Sequence, residues 1–312
     1  MYMGNSITAA DGYRSTLEHK LDSAGHTFSS RTWATPGWQI SHTNEEINGH
    51  TYVSLQSVCG SGGCVRDGLY DDIAQAITPD YFSTAAGVHN YLLLMIGTND
   101  FLHQVVRSSY GTAGGDANND ATGEGQEYMA ESALERLRPL LHRIDEQCGV
   151  HGLSLTVLLA TIPTIEKRYG EDAVSDTTQQ EVAAYNAAIL HMDTLPFSCV
   201  RLCIVDQNEA TRGKLQDGVH PTADGYQAMA RYWYAAITTQ ISTRISTPLP
   251  PGDAGTGAAP DHRPTALHPH AGYSFTLQGR RMQSLPRNGA RVYMSRGRSC
   301  LHIPDLIPGS TP

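Results

Sequence analysis

The 312-residue sequence has no run of 18 or more apolar residues, so nothing in it reads as a membrane-spanning helix. No charged stretch followed by an apolar core opens the chain, so it shows no secretory leader. G-x-S-x-G is missing, which excludes the nucleophile elbow of the α/β-hydrolase plan. G-x-G-x-x-G and G-x-x-x-x-G-K-[ST] are missing too, so dinucleotide and P-loop readings have no support. There are no paired C-x2-C units, and the six cysteines do not spell a zinc site. Charged residues are sparse at 17 %, and their sign is uneven. Residues 248–312 hold seven Arg and three Asp with no Lys or Glu, and removing that +4 from the net −9 leaves about −13 on residues 1–247. An acidic body does not suit a nucleic-acid partner.

The cysteines that are present leave the redox compartment open. Cys59 and Cys64 flank "GSGG", a flexible loop that could close a disulfide. Cys199 and Cys203 are expected on one face of a strand, roughly 13 Å apart and too far to bridge each other. "HPH" at 268–270 lies in a Pro-rich stretch and reads as incidental rather than metal-binding.

An apolar fraction of 40 % can fill a core, and the apolar residues fall into a pattern. Buried strands are expected at His26–Trp33 (weakly), 90–97, 154–163 and 199–206. Their apolar residues are continuous rather than alternating, as in a parallel sheet covered on both faces. Helices are expected between them. In 11–25, Tyr13, Leu17, Leu21 and Ala24 share a face and Gly25 is a natural stop. In 127–149, Met129, Leu134, Leu137, Leu141 and Ile144 share a face, and Pro139 predicts a kink or a break. Further helices fit 176–194 and 222–241. Strands alternating with helices argue an α/β sandwich around a mainly parallel sheet. Residues 107–126, rich in Gly, Asn and Asp, read as a long exposed loop, either bordering a cleft or a plain insertion. Beyond 241 the periodicity stops. Ten of the 16 prolines fall at 248–312, the composition of a disordered tail, so the expected domain is 1–241 and the expected tail 242–312.

Ligands of open α/β sheets bind beyond the carboxyl ends of the strands. Three such places carry chemistry: "GNSIT" near the start, "GTND" after 90–97, and "DGVHP" after 199–206. Singly each is weak. A serine after a strand is more often a helix N-cap. About one Asp-x-x-His pair is expected by chance, and there are two, Asp217/His220 and Asp100/His103. A solvated surface pair is the bland reading of either.

In combination and in this order, the three stretches resemble the SGNH (GDSL) hydrolase superfamily over residues 1–241. "PGWQI" (36–40) is similar to its second block, and "DGYR" (11–14) with "PGW" resembles its acetyl-xylan-esterase-like carbohydrate esterases. The resemblance implies a three-layer α/β sandwich with a flavodoxin-like central sheet. It implies a serine esterase acting on a small acyl ester of a small molecule or polysaccharide, with an O-acetylated carbohydrate as the expected substrate, in an extracellular setting. Ser6 would be nucleophile, His220 general base and acid, and Asp217 the carboxylate that orients it. Oxyanion donors would be the backbone N–H groups of Ser6 and Gly37 and the side-chain amide of Asn99. The family's order selects Asp217/His220 over Asp100/His103. No metal or organic cofactor is implied, and nothing in the sequence specifies an oligomeric state.

Two departures stand out. Asn5 replaces the Asp that usually precedes the nucleophile, dropping a charge but keeping size and hydrogen-bonding capacity. The first strand is expected to be cut to Met1–Met3, as a lost first exon would leave it, and a wrongly joined last exon would account for the tail. Sequencing the natural N-terminus or the transcript tests both. Rival readings are a lipid or thioester substrate at the same site, a glycan-binding module of the same fold without turnover, and a chain too truncated to fold.

Overall fold

In the computed structural model, the residues described are 1–42, 46–47, 49–54, 68–107, 129–167 and 173–245, together with the backbone of 273–275, 291–295 and 298–302. The expected disulfide at Cys59–Cys64 and the expected loop at 107–126, apart from Arg107, lie outside them.

The first strand is short, β1 (Tyr2–Gly4), and leads directly into the single turn α1 (Ser6–Ala9) and then α2 (Arg14–Ser23). Tyr13, Leu17 and Leu21 are buried as the spacing predicts, whereas Ala24 lies past the helix end and is exposed. Gly25 (φ 81°) stops the helix: its N–H bonds to the carbonyl of Asp22, and that of His26 to Leu21. There follow β2 (Thr32–Ala34), β3 (Glu46–Ile47), β4 (His50–Ser54), α3 (Leu69–Ala76), β5 (Asn90–Met95), α4 (Thr98–Leu102) and β6 (Val105–Arg107). The second half contains α5 (Met129–Val150), β7 (Leu155–Ala160), α6 (Asp176–Ile189), β8 (Val200–Val205), α7 (Gln207–Thr211) and α8 (Ala223–Ile245). In the C-terminal segment β9 (Tyr273–Phe275), β10 (Arg291–Ser295) and β11 (Arg298–His302) pair as an antiparallel sheet.

The central sheet runs β2-β1-β5-β7-β8, and every neighbouring pair is parallel. This 2-1-3-4-5 order is flavodoxin-like and places the topological switch point between β1 and β5. The expected apolar runs sit at the centre. Leu92–Met95, Val157–Ala160 and Leu202–Val205 are all buried, because helices cover both faces of these strands. Helices α2 and α8 pack together as one layer, and α3, α5 and α6 as another.

Although β1 has only three residues, it is the second strand of five and is paired on both sides. Contacts beyond its ends extend the pairing. The Met1 amino group donates to the Tyr91 carbonyl at 2.7 Å, Leu93 N–H donates to the Met1 carbonyl, and Tyr2 N–H to that of Arg31. Its side chains add Tyr2 and Met3 to the main core.

Two expectations need correction. The weak strand expected at His26–Trp33 begins only at Thr32, since residues 26–31 form no ladder. The kink or break expected at Pro139 does not divide α5, which runs unbroken from Met129 to Val150. Proline removes one intrahelical hydrogen bond there, but Leu137, Leu140, Leu141 and Ile144 are buried on either side of it and hold the helix to the core. Cys199 and Cys203 are not bridged to each other, and neither they nor Cys148 form a disulfide among the described residues.

Candidate active site

The site grows from the carboxyl edge of the sheet. At the end of β1, Gly4 lies so close to β5 that a Cβ would sit 2.3 Å from the Met95 carbonyl oxygen and 2.7 Å from Thr8 Oγ1. Only glycine fits, and the chain can turn at once from strand into helix. Asn5 caps that helix, its Oδ1 accepting from Ile7 N–H at 3.2 Å. The amide does the capping that a carboxylate would do, so the missing charge leaves the turn intact. Ser6 is therefore the first residue of α1, held by the buried cap and the doubly paired strand that precede it.

Asp217 and His220 lie on the loop between α7 and α8. Asp217 Oδ1 accepts from the backbone N–H groups of Val219 (2.9 Å) and His220 (2.6 Å), and Oδ2 lies 2.8 Å from His220 Nδ1. Gly218 makes this tight turn possible with φ 81°; a Cβ there would approach Lys167 to 2.7 Å. The segment after β7 braces the turn, with Glu166 N–H donating to the Gly218 carbonyl at 2.7 Å. Burial alone would raise the Asp217 pKa, but the His220 backbone N–H, its ring N–H and the Val219 N–H outweigh it and hold the carboxyl below its ordinary value. An ionised carboxylate only accepts, so Nδ1 carries the imidazole proton and Nε2 is left as an acceptor. His220 Nε2 lies 3.0 Å from Ser6 Oγ, joining residues 214 apart in sequence.

Two further segments face the same edge. Asn99 is buried in α4, and its Nδ2 donates to the Trp38 carbonyl at 2.8 Å. Gly37 precedes Trp38 in a turn closed by Trp38 N–H on the Thr35 carbonyl. Ser6 and Gly37 backbone N–H groups make no hydrogen bond among the described residues, and one Asn99 N–H is uncommitted after its bond to Trp38.

The second Asp-x-x-His pair has another fate. Asp100 is 1 % exposed and its Oδ1 meets Arg136 Nη1 at 2.5 Å, while Ile40 N–H points at both carboxylate oxygens (3.4 and 3.3 Å). Burial pushes the Asp100 pKa up, against the pull of Arg136 and the Ile40 N–H. His103 is buried at the end of α4, and its carbonyl accepts from Ser54 Oγ. Arg136 was not among the expected site residues. Its signal was its spacing: with Ala133, Leu137 and Leu140 it occupies the buried stripe of α5, where an arginine has no ordinary place. Among the described residues no three His, Cys, Asp or Glu side chains gather as a metal site, and no helix is long and apolar enough to cross a membrane.

A family model for the GDSL-like lipase/acylhydrolase family matches residues 2–228. No curated protein matches the sequence. Solved structures with a similar backbone include a serine-to-alanine mutant of an acetyl esterase with an acetate ion (17% identity, 79% of this chain and 98% of that one, TM-score 0.43). Another is a carbohydrate esterase family 3 protein from Talaromyces cellulolyticus (18% identity, 78% and 97%, TM-score 0.40). A third is a carbohydrate acetylesterase family member from Sinorhizobium meliloti (14% identity, 77% and 98%, TM-score 0.43). With the family match spanning most of the chain, from the strand before Ser6 to the helix after His220, the chain belongs to the GDSL-like lipase/acylhydrolase family and is a carboxylic ester hydrolase.

Proposed function

We propose that this enzyme is a serine esterase that removes small acyl groups, acetyl first among them, from carbohydrate esters outside the cell. The observation that carries the reading is the relay from Ser6 Oγ through His220 (3.0 Å) to Asp217 (2.8 Å). The carbohydrate preference rests on the resemblance of "DGYR" and "PGW" to acetyl-xylan-esterase-like sequences.

Ser6 Oγ attacks the ester carbonyl carbon while its proton passes to His220 Nε2. The imidazolium that forms is stabilised by Asp217, which keeps its own charge. Negative charge moves to the former carbonyl oxygen, where the N–H groups of Ser6 and Gly37 and Asn99 Nδ2 donate to it. Collapse breaks the bond to the alcohol, which leaves with the proton from His220. Water then attacks the acyl-serine with His220 as base, and a second collapse frees the carboxylic acid and restores Ser6.

The test is hydrolysis of p-nitrophenyl acetate, butyrate and octanoate, with acetylated xylan beside them, by wild type and Ser6→Ala. The expected result is acetate fastest and octanoate slowest, acetate released from the xylan, and activity lost in Ser6→Ala. Octanoate fastest would move the substrate to lipids. A folded wild type that binds xylan and hydrolyses nothing would overturn the catalytic reading.

A further inference from the structure

Resting on the reading of Gly37 and Asn99 as oxyanion donors, we infer that Arg136, which lies outside every motif, is a positioning residue that sets those two donors in register through Asp100. Two hydrogen-bonded links join the segment carrying Gly37 to the segment carrying Asn99. One runs from Asn99 Nδ2 to the Trp38 carbonyl at 2.8 Å, and the other from Ile40 N–H to the Asp100 carboxylate at 3.3 Å. A single link is a hinge; two fix the relative orientation of the segments. The second exists only while the Asp100 carboxylate is held in place, and Arg136 Nη1 holds it at 2.5 Å. Arg136 is itself fixed, with Nε donating to the Ser132 carbonyl at 3.0 Å and the Tyr52 ring lying 5.1 Å from the guanidinium carbon.

Stability alone does not account for this arrangement. Arg136 is fully buried, and its Nη2 has no hydrogen bond among the described residues. Taking both charges out of water is costly, and a well-packed apolar pair of similar volume often holds a fold as well or better. What an apolar pair lacks is direction. An oxyanion donor is effective only at about 2.7–3.1 Å from the oxygen it serves, so small displacements of Gly37 or Asn99 are felt in the transition state.

A double-mutant cycle on kcat for p-nitrophenyl acetate tests this. Arg136→Met is expected to lower kcat about 10- to 100-fold with KM within about threefold, a fraction of the effect of losing a whole donor. Arg136→Lys, which keeps the charge but not the fork, should lie between the two. In an Asn99→Ala background only Gly37 is left to be positioned, so Arg136→Met should cost less than it does in the wild type, by about threefold or more. The Asp100→Leu/Arg136→Met pair removes the buried charges together; it should fold, and should lose kcat as Arg136→Met does. Equal losses from Arg136→Met in both backgrounds, or a folded apolar pair with wild-type kcat, would overturn the inference. If Asn99→Ala itself leaves kcat unchanged, the oxyanion reading fails instead. A loss in Asn99→Ala without one in the Arg136 variants refutes only the role of Arg136.

Discussion

Asp217/His220 and Asp100/His103 have the same spacing and lie at the same edge of one sheet, yet the fold uses them in opposite ways. The first pair closes on itself: the carboxylate binds its own histidine at 2.8 Å in a glycine-containing turn, leaving Nε2 toward Ser6. Asp217 is half-exposed and His220 is 17 % exposed, so the imidazole is open to solvent. The second pair is sealed. Its carboxylate faces Arg136 and the Ile40 amide from inside the core, and His103 is 3 % exposed. Spacing sets which residues can meet; the loop or helix beneath them decides whether they do. A Gly at the second position allows the tight turn of 217–220, whereas in α4 the helical backbone carries the Asp100 side chain inward.

That contrast predicts effects of very different size. The largest belongs to Asp217→Asn, which keeps the shape but no longer demands the correct imidazole tautomer; kcat should fall about 10²- to 10⁴-fold. His103→Gln should leave kcat within about threefold and instead lower stability by about 1–3 kcal/mol, the range for disturbing a buried polar group. Steady-state kinetics beside urea denaturation of both variants measures this. A kcat loss in His103→Gln as large as in Asp217→Asn would erase the distinction.

A smaller effect separates the two carboxyls by the sign of their pH dependence. The folded pKa of Asp217 is depressed, so its contribution is present above the unfolded value of about 3.9 and is lost as pH falls through the lower folded value. The folded pKa of Asp100 is raised, so the folded state keeps that proton longer. Stability should then decline as pH rises from about 3.9 through the folded value of Asp100. Urea midpoints across the acid range should lose the rising slope in Asp217→Asn and the falling slope in Asp100→Asn. The same slope change in both variants would contradict these assignments.

Much of this was legible in the sequence. The apolar runs at 90–97, 154–163 and 199–206 became β5, β7 and β8 with one to three residues trimmed from their ends, because continuous burial on both faces leaves an unmistakable run. "GNSIT", "GTND" and "DGVHP" were readable as one edge because each follows a strand, whereas "PGWQI" was readable only through its resemblance to the family's second block. The pairing of Asp100 was not, since Arg136 lies 36 residues away on a helix whose neighbouring Arg138 is an ordinary exposed arginine. Nor does a three-residue strand announce that it is central. That depends on long-range pairing of Tyr2–Gly4 with Thr32–Ala34 on one side and Leu93–Met95 on the other.

The measurement that tests the central claim most directly is covalent labelling of the full chain with a fluorophosphonate, followed by peptide mass spectrometry. The account predicts one phosphonyl group on Ser6, with loss of esterase activity in proportion to labelling, and little or no labelling in His220→Ala. Labelling at another serine that tracks the loss of activity, or full activity in Ser6→Ala, would contradict it.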